Sequence, residues 1–307
     1  YFSRFMRNDI YMAVWAVLLV IIMWRYIAEP RRLLLFGWVA VWALAFTTKE
    51  TTYFLAVIFG LALFWLSAPH YWRWAQGRTT LAAVPPSGAL LLVLTTVTLP
   101  LWAPLSGLLQ RLAGVILVNP DPNDPRLIGE EVFRAATETG APAGGALYIA
   151  FFLVMLLAVV GVVVGASWDR KLWPCLAITF AAIWLLFFTS LFTRWEGFFT
   201  GLWGSLGYWM AQHPVERASQ PSYYYFLGLA GYEFLIVIPA LAGSVYLLFK
   251  GSSFDRFLVY WAAMSAALAI YAGEKMPWLT VGITLPVILV SARGLGLLIE
   301  SRPWAHM

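Results

Sequence analysis

The chain has few charged residues. Asp, Glu, Lys and Arg make up 11% of its 307 residues, whereas 62% are hydrophobic. Soluble domains carry about 25% charged and about 45–50% apolar residues, so a water-soluble globule could not hide this much apolar surface. The composition excludes a soluble enzyme, a secreted disulfide scaffold and a disordered chain. A polytopic membrane protein remains, and the mean hydropathy of +0.77 agrees with that class.

Residues that commonly carry chemistry are also scarce. The single cysteine, Cys175, excludes a disulfide framework within the chain and a cysteine metal site. The three histidines are far apart and lack metal-ligand spacing. The sequence contains no nucleotide-binding glycine loop, Walker lysine or nucleophile elbow. Asp121 and Asp124 could hold a divalent cation, although a solvated turn is the ordinary interpretation of their proline-rich segment.

Nine apolar stretches are long enough to cross a bilayer or nearly so. They lie at about 10–28, 33–48, 51–68, 88–104, 146–166, 173–192, 225–249, 257–272 and 277–299. A spanning helix needs about 20 residues, and a backbone exposed to lipid must be helical to pair its polar groups. The sequence therefore predicts an all-α polytopic integral membrane protein with one transmembrane domain over 1–307. The outer loops 105–145 and 193–224 are predicted to carry interfacial helices.

The basic residues favour one orientation of these spans. With the N-terminus outside, the cytoplasmic segments hold 11 basic and four acidic residues, and the opposite side holds nine basic and 11 acidic residues. An excess of Lys and Arg marks the cytoplasmic side. We therefore predict a plasma-membrane protein whose N-terminus lies outside and whose C-terminus is cytoplasmic. Most unusual polar clusters then lie on the outer face.

Lys49 and Glu50 form a charged turn between two apolar stretches, flanked by four threonines. The preceding stretch has about 16 residues and a length of about 24 Å, less than the ~30 Å hydrocarbon core. The turn should therefore lie slightly below the outer surface, where charges usually face protein or a wet cavity. Lys49 could bind a phosphate there, with the threonines as extra donors. The alternative is a hairpin tip whose lysine reaches up to the headgroups.

Arg4, Arg7 and Asp9 stand at the outer mouth of the first helix. The two arginines would share a face if helical, and guanidinium groups suit bidentate phosphate binding. Anchoring to headgroups explains them equally well. Asp9 lies near a helix N-terminus, where a carboxylate can cap the helix and meet its favourable dipole.

Residues 195–210 of the loop 193–224 form two different faces at helical spacing. One face carries large apolar residues such as Trp195, Trp203 and Trp209, and the other carries small residues such as Gly197 and Gly201. The pattern predicts an interfacial helix, and its small face would let another helix or an apolar chain pack closely.

Five residues of the later outer segments complete the set of candidates. Arg217 could reach a lipid phosphate, and Tyr224 belongs to a run of tyrosines typical of a membrane interface. Glu233 is the one acid deep in a long span and should face the interior, where a structural hydrogen bond is its ordinary role. Glu274 and Lys275 could pair with each other or complete a ring of charge around a cavity.

Several of these motifs, in this order, resemble one family. They are Tyr1–Asp9, Thr47–Glu50, Gln220–Tyr225, Tyr232–Glu233 and Glu274–Trp278. The chain resembles the protein-mannosyltransferase-like (family 39-like) branch of the GT-C membrane glycosyltransferases. Within that branch it looks closest to archaeal-type membrane proteins associated with lipid-linked sugar flipping. The resemblance covers essentially the whole chain.

The resemblance implies a GT-C bundle that takes a sugar from a polyprenyl-phosphate donor on the outer face and passes it to an acceptor. Lys49, Arg4, Arg7 and Arg217 would bind the lipid phosphate. The supporting residues would be Asp9, Glu50, Tyr224, Glu233, Glu274 and Lys275. The departing phosphate needs positive charge, and the acceptor hydroxyl needs a base.

The base itself is not identified. In the family it belongs to an acidic outer loop that precedes the Tyr-Phe-Ser-Arg segment, whereas nothing precedes Tyr1 here, and Gly282 stands where a histidine is expected. We therefore expect either a fragment of a longer protein or a protein that has lost catalysis. Two alternatives are a non-catalytic membrane subunit of a larger complex and a protein that handles or transports lipid-linked sugars.

Overall fold

The computed structural model describes residues 8–118, 142, 145–212, 220–272 and 275–300, without the side chains of residues 111, 113, 211 and 212. This part of the chain is helical and contains no strand, which confirms the all-α class. Each of the nine apolar stretches is mostly helical.

The principal helices are α1 (Asn8–Ala28), α2 (Arg32–Thr48), α3 (Thr52–Ala75), α4 (Pro86–Thr98), α5 (Gly145–Trp168), α6 (Leu172–Phe188), α7 (Glu196–Gln212), α8 (Tyr224–Tyr232), α9 (Phe234–Lys250), α10 (Ser253–Tyr271) and α11 (Thr280–Glu300). A 3-10 helix, Leu99–Leu109, and a short α-helix, Gln110–Ala113, continue α4. A π-helical turn, Thr200–Gly204, lies inside α7. Two further 3-10 turns lie at Leu81–Ala83 and, just before α11, at Pro277–Leu279.

Five of the described helical segments are long and apolar enough to cross a membrane: Asn8–Ala28, Thr52–Ala75, Pro86–Leu109, Gly145–Trp168 and Pro277–Glu300. A sixth results if α8 and α9 are counted as one broken span. The described helices are therefore those of a multi-pass membrane protein. The helices α2 and α6 have 17 residues each and are shorter than the five, so nine crossings stay a prediction.

One predicted span is broken in the structure. The sequence predicted a continuous helix over 225–249, but α8 and α9 meet at Glu233 with a bend of 107°. The backbone N–H of Glu233 donates to the carbonyl of Leu229, and the Glu233 carbonyl accepts from Ile236 and Val237. Glu233 thus ends one helix and begins the next. Gly228 and Gly231 precede the break in α8, and glycine is a poor helix former.

The described chain divides into two compact units. The N-terminal unit comprises 15–215, and the C-terminal unit comprises 1–14 and 216–307. The prediction of one transmembrane domain over 1–307 stays a prediction.

The short helix α2 is central to the N-terminal unit. Its Trp38 and Trp42 are fully buried, and their rings pack edge to face at 5.5 Å. Trp42 also packs against Phe59 of α3, and Phe46 packs against Phe180 of α6. Such aromatic contacts add to the stabilisation from apolar burial. The helix is therefore held by protein on several sides, although it is short for a bilayer.

Glycines of α5 allow α4 and α6 to approach closely. Gly165 leaves the space in which the indole of Trp173 lies, and the Trp173 Nε1–H donates to Thr96 Oγ1 over 2.8 Å. Gly161 faces the Thr96 backbone carbonyl. Small residues at helix crossings are the usual means of close packing in membranes.

In the C-terminal unit, α9 and α11 cross where Gly243 and Gly294 face each other.

An ion pair joins α10 to α11 in the same unit. The carboxylate of Asp255, in the first turn of α10, accepts a 2.7 Å hydrogen bond from Arg293 Nε and another from the Ser252 backbone N–H. Burial acts to raise the pKa of Asp255, but the hydrogen bonds from Arg293 and Ser252 outweigh it and hold the pKa below its ordinary value.

Candidate lipid-phosphate site

The predicted site residues divide between the two units. Lys49 and Glu50 belong to the N-terminal unit. Asp9, Tyr224, Glu233 and Lys275 belong to the C-terminal unit. The remaining candidates, Arg4, Arg7, Arg217, Glu274 and the possible cation ligands Asp121 and Asp124, lie outside the described residues. A common hollow that joins Lys49 to the arginines therefore stays a prediction.

The Lys49–Glu50 turn is short and tightly bonded. Both side chains are half-buried. The Lys49 backbone N–H donates to the Ala45 carbonyl, and the Lys49 carbonyl accepts from the Thr52 N–H over 3.1 Å. The turn thus joins α2 to α3 within three residues and fixes where the Lys49 side chain leaves the backbone.

The flanking threonines were expected to supply extra donors to a ligand, and for three of them this was wrong. Thr47 and Thr48 both donate to the Leu44 carbonyl, and Thr52 donates to the Ala45 carbonyl over 2.7 Å. Thr47 and Thr48 make the usual bond of a threonine to the carbonyl three or four residues earlier in its helix. The Thr52 hydroxyl adds a second bond to the Ala45 carbonyl, which already accepts from a backbone N–H. Thr48 Oγ1 also accepts from the indole of Trp15.

The aromatic residues after the turn pack against the extension of α4 and against helix α7. The Tyr53 ring packs against Trp102 at 5.2 Å, and its hydroxyl donates to the Leu101 carbonyl. Phe54 packs against Trp209 of α7 at 4.7 Å. The Lys49–Glu50 turn, the extension of α4 and helix α7 therefore lie at the same end of the N-terminal unit.

Helix α7 uses its small face within the chain itself. Gly197 lies against the Phe188 carbonyl, and Gly201 lies against the rings of Trp184 and Phe188. The predicted close packing is present, with α6 as the neighbour. On the apolar face, the Trp203 indole donates to the Leu117 carbonyl over 2.8 Å. The helix is thus partly buried in protein; its location at the membrane interface stays a prediction.

Lys275 is the most unusual charged residue of the C-terminal unit. Its exposed fraction is 9%, and its ammonium group donates a 3.2 Å hydrogen bond to the Ala272 carbonyl. Among the described residues, no carboxylate lies within ion-pair distance of this ammonium. An ammonium has three N–H donors, and a buried charge is costly unless it is paired. The geometry is therefore suited to an anionic ligand.

Tyr225 holds the loop that carries Lys275. Its hydroxyl accepts from the Met276 backbone N–H at 3.1 Å and donates to the Met276 carbonyl at 3.4 Å. The Tyr225 ring is 2% exposed and packs in a small core with Leu229 and Ile283. Sequence reasoning selected the neighbouring Tyr224, whose ring packs on the same core and on Tyr225 at 5.2 Å. The place of Tyr225 as the last residue of the motif Gln220–Tyr225 was its only signal.

Glu233 and Asp9 lie at helix ends. Glu233 is at the far end of α8 from the Lys275 loop, about 12 Å from Tyr225 along the helix axis. It is half-buried and stands at the N-terminus of α9. The predicted continuous helix around Glu233 is therefore wrong, because one helix ends there and the next begins. Asp9 is in the first turn of α1. A carboxylate at either position is favoured by the helix dipole.

The described residues contain no group of three His, Cys, Asp or Glu side chains that could hold a metal ion.

Comparison with family models, with curated proteins and with solved structures finds no match. The resemblance to GT-C enzymes therefore depends on the motifs of the sequence alone.

Proposed function

We propose that this chain is a GT-C-type, protein-mannosyltransferase-like membrane protein that binds a polyprenyl-phosphate-linked sugar at the outer face of the plasma membrane. The proposal places the N-terminus of the chain outside and its C-terminus in the cytoplasm, with about nine crossings. The observation that carries it is the buried ammonium of Lys275.

A phosphate would meet the needs of this ammonium. The Ala272 carbonyl takes one of its three donors, which leaves donors for the phosphate oxygens. Charge-assisted hydrogen bonds of this kind are about twice as strong as neutral ones. A lipid phosphate is also held at the membrane surface by its own chain, so binding does not require a deep polar cavity.

Lys49 supports the same function in the N-terminal unit. Its side chain is half-buried, and the turn is followed by Tyr53 and Phe54, whose rings pack against Phe46 and Trp209. An ammonium next to apolar side chains suits a ligand with a charged head and a hydrocarbon tail. Positive charge near the donor phosphate would also stabilise it as it leaves the sugar.

The test is direct binding of a polyprenyl monophosphate to the purified chain in detergent, measured by native mass spectrometry. Lys275→Gln removes the charge, and loss of a hydrogen bond to a charged group costs about 1.5–3 kcal/mol, which corresponds to about 10–150-fold in affinity. Lys250→Gln is the matched control because Lys250 is an exposed lysine of the same unit, in the last turn of α9.

Lys275→Arg keeps the charge and should retain most of the affinity. Equal affinity in wild type and Lys275→Gln, or an equal loss in the Lys250→Gln control, would overturn the proposed role of Lys275. Transfer itself is tested separately, with a radiolabelled polyprenyl-phosphate sugar as the donor.

A further inference from the structure

A charged hollow lies at the opposite end of α2 from Lys49. The last turn of α1 and the start of α2 enclose about 430 Å³, lined by Arg25, Ala28, Glu29, Arg31, Leu33 and Leu34. All of these residues belong to the N-terminal unit. The volume lies within the range of about 300–1,000 Å³ usual for small-molecule sites.

The two arginines give the hollow an excess of positive charge. Arg31 Nη2 donates to the Glu29 carboxylate over 2.6 Å, and both side chains are exposed. A guanidinium has five N–H donors, so this pair leaves most of those of Arg31 for a ligand. The Arg25 guanidinium has no hydrogen-bond partner among the described residues. Two positive charges and one negative charge therefore line the hollow.

The remaining wall of the hollow is apolar. Leu33 is 80% exposed, and Leu34 and Ala28 complete the surface. An exposed leucine next to two arginines at the end of a membrane helix matches a ligand that is both anionic and apolar. Basic pockets between membrane helices are known to hold the heads of anionic lipids.

We propose that this hollow binds an anionic phospholipid of the surrounding bilayer. The lipid phosphate contacts Arg25 and Arg31, and the first carbons of the acyl chains lie along Leu33 and Leu34. Charge complementarity selects an anionic lipid over phosphatidylcholine. This hollow is separate from the Lys49 turn, because α2 places about 26 Å between its two ends.

The experiment titrates the full purified chain with dioleoyl-phosphatidylglycerol in detergent and counts bound lipids by native mass spectrometry. Each basic side chain near a membrane surface contributes about fivefold to such binding. The Arg25→Gln/Arg31→Gln variant should therefore bind about 30-fold more weakly. Arg73→Gln/Arg78→Gln is the matched control, since both arginines are exposed in the same unit but do not line the hollow.

Glu29→Gln provides a test that misfolding cannot imitate. It removes the carboxylate that competes for Arg31, so affinity for phosphatidylglycerol should rise about fivefold. Dioleoyl-phosphatidylcholine should bind equally to all variants.

The proposal is overturned if the control pair loses as much affinity as the Arg25 and Arg31 pair, or if Glu29→Gln binds no more tightly. It is also overturned if inorganic phosphate displaces the lipid at equal concentration, because the hollow would then be a site for a free anion.

Discussion

The two hydrogen bonds between Tyr225 and Met276 should hold the Lys275 loop in place, and Tyr225→Phe tests this directly. The substitution removes the hydroxyl and leaves the ring, so packing against Leu229 and Ile283 is kept. The Met276 N–H, which now donates over 3.1 Å, loses its partner. Each bond contributes about 0.5–1.5 kcal/mol net, and the 3.4 Å bond to the carbonyl belongs at the lower end.

The two bonds together should stabilise the closed loop by about 1–2 kcal/mol. Amide hydrogen exchange reports local opening free energies of this size. Exchange of the Met276 amide, measured by mass spectrometry on peptides that cover 272–279, should therefore be about 5–30-fold faster in Tyr225→Phe.

Tyr224→Phe is the matched control. The two tyrosines are adjacent and pack on the same core, but the Tyr224 hydroxyl has no hydrogen-bond partner among the described residues. Its removal should change Met276 exchange by less than about twofold. The reasoning is refuted if Tyr225→Phe exchanges like wild type, or if both variants accelerate exchange equally.

Two predictions concern the packing and charge of the C-terminal unit. A Cβ on Gly294 would lie 3.0 Å from the Gly243 Cα, whereas a Cβ on Gly296 meets open space. Gly294→Val should therefore lower the free energy of unfolding by about 1–3 kcal/mol, and Gly296→Val should lower it by clearly less. Thermal unfolding in detergent measures both effects. Because Arg293 and Ser252 lower the pKa of Asp255, the stabilisation from this carboxylate should be complete above its unfolded pKa of about 3.9. This stabilisation should be lost as the pH falls through the folded-state pKa. The measurement is the melting temperature as a function of pH, and the same pH dependence in wild type and Asp255→Asn would contradict the prediction.

The helices could be predicted from the sequence because long apolar runs leave few alternatives in a membrane. The limits of α2 differ from the predicted 33–48 by one residue at its start. The break at Glu233 could not be predicted from the nearby Gly228 and Gly231, since glycines are also frequent in intact membrane helices. A bend between two helices depends on tertiary packing, which a local pattern does not contain.

The candidate site could be predicted less well than the helices. The sequence placed Lys49 in a turn between two spans, and the structure has it there. It could not show that neighbouring threonine hydroxyls bind helix carbonyls, because a hydroxyl next to a helix end can equally face solvent. It also ranked Lys275 only as a supporting residue. The loop that carries this ammonium is bonded to Tyr225, which is 50 residues away in the chain.

If α2 crosses the bilayer as predicted, its length sets the depth at which Lys49 would meet a lipid phosphate. Its 17 residues span about 26 Å. The neighbouring α3 is longer, but its last turn carries the exposed Trp72 and Trp74 beside Arg73, a composition typical of the membrane interface. Its apolar part, 52–69, is then about 27 Å long.

The two helices therefore agree on a hydrophobic thickness a few ångströms below the usual ~30 Å. Such a mismatch is met by local thinning of the bilayer or by side chains that reach the surface. Shared between the two faces, it would place the Lys49 backbone only about 2 Å below the hydrocarbon boundary. The lysine side chain is long enough to bridge that depth, so its ammonium can reach the level of a lipid phosphate without a polar cavity.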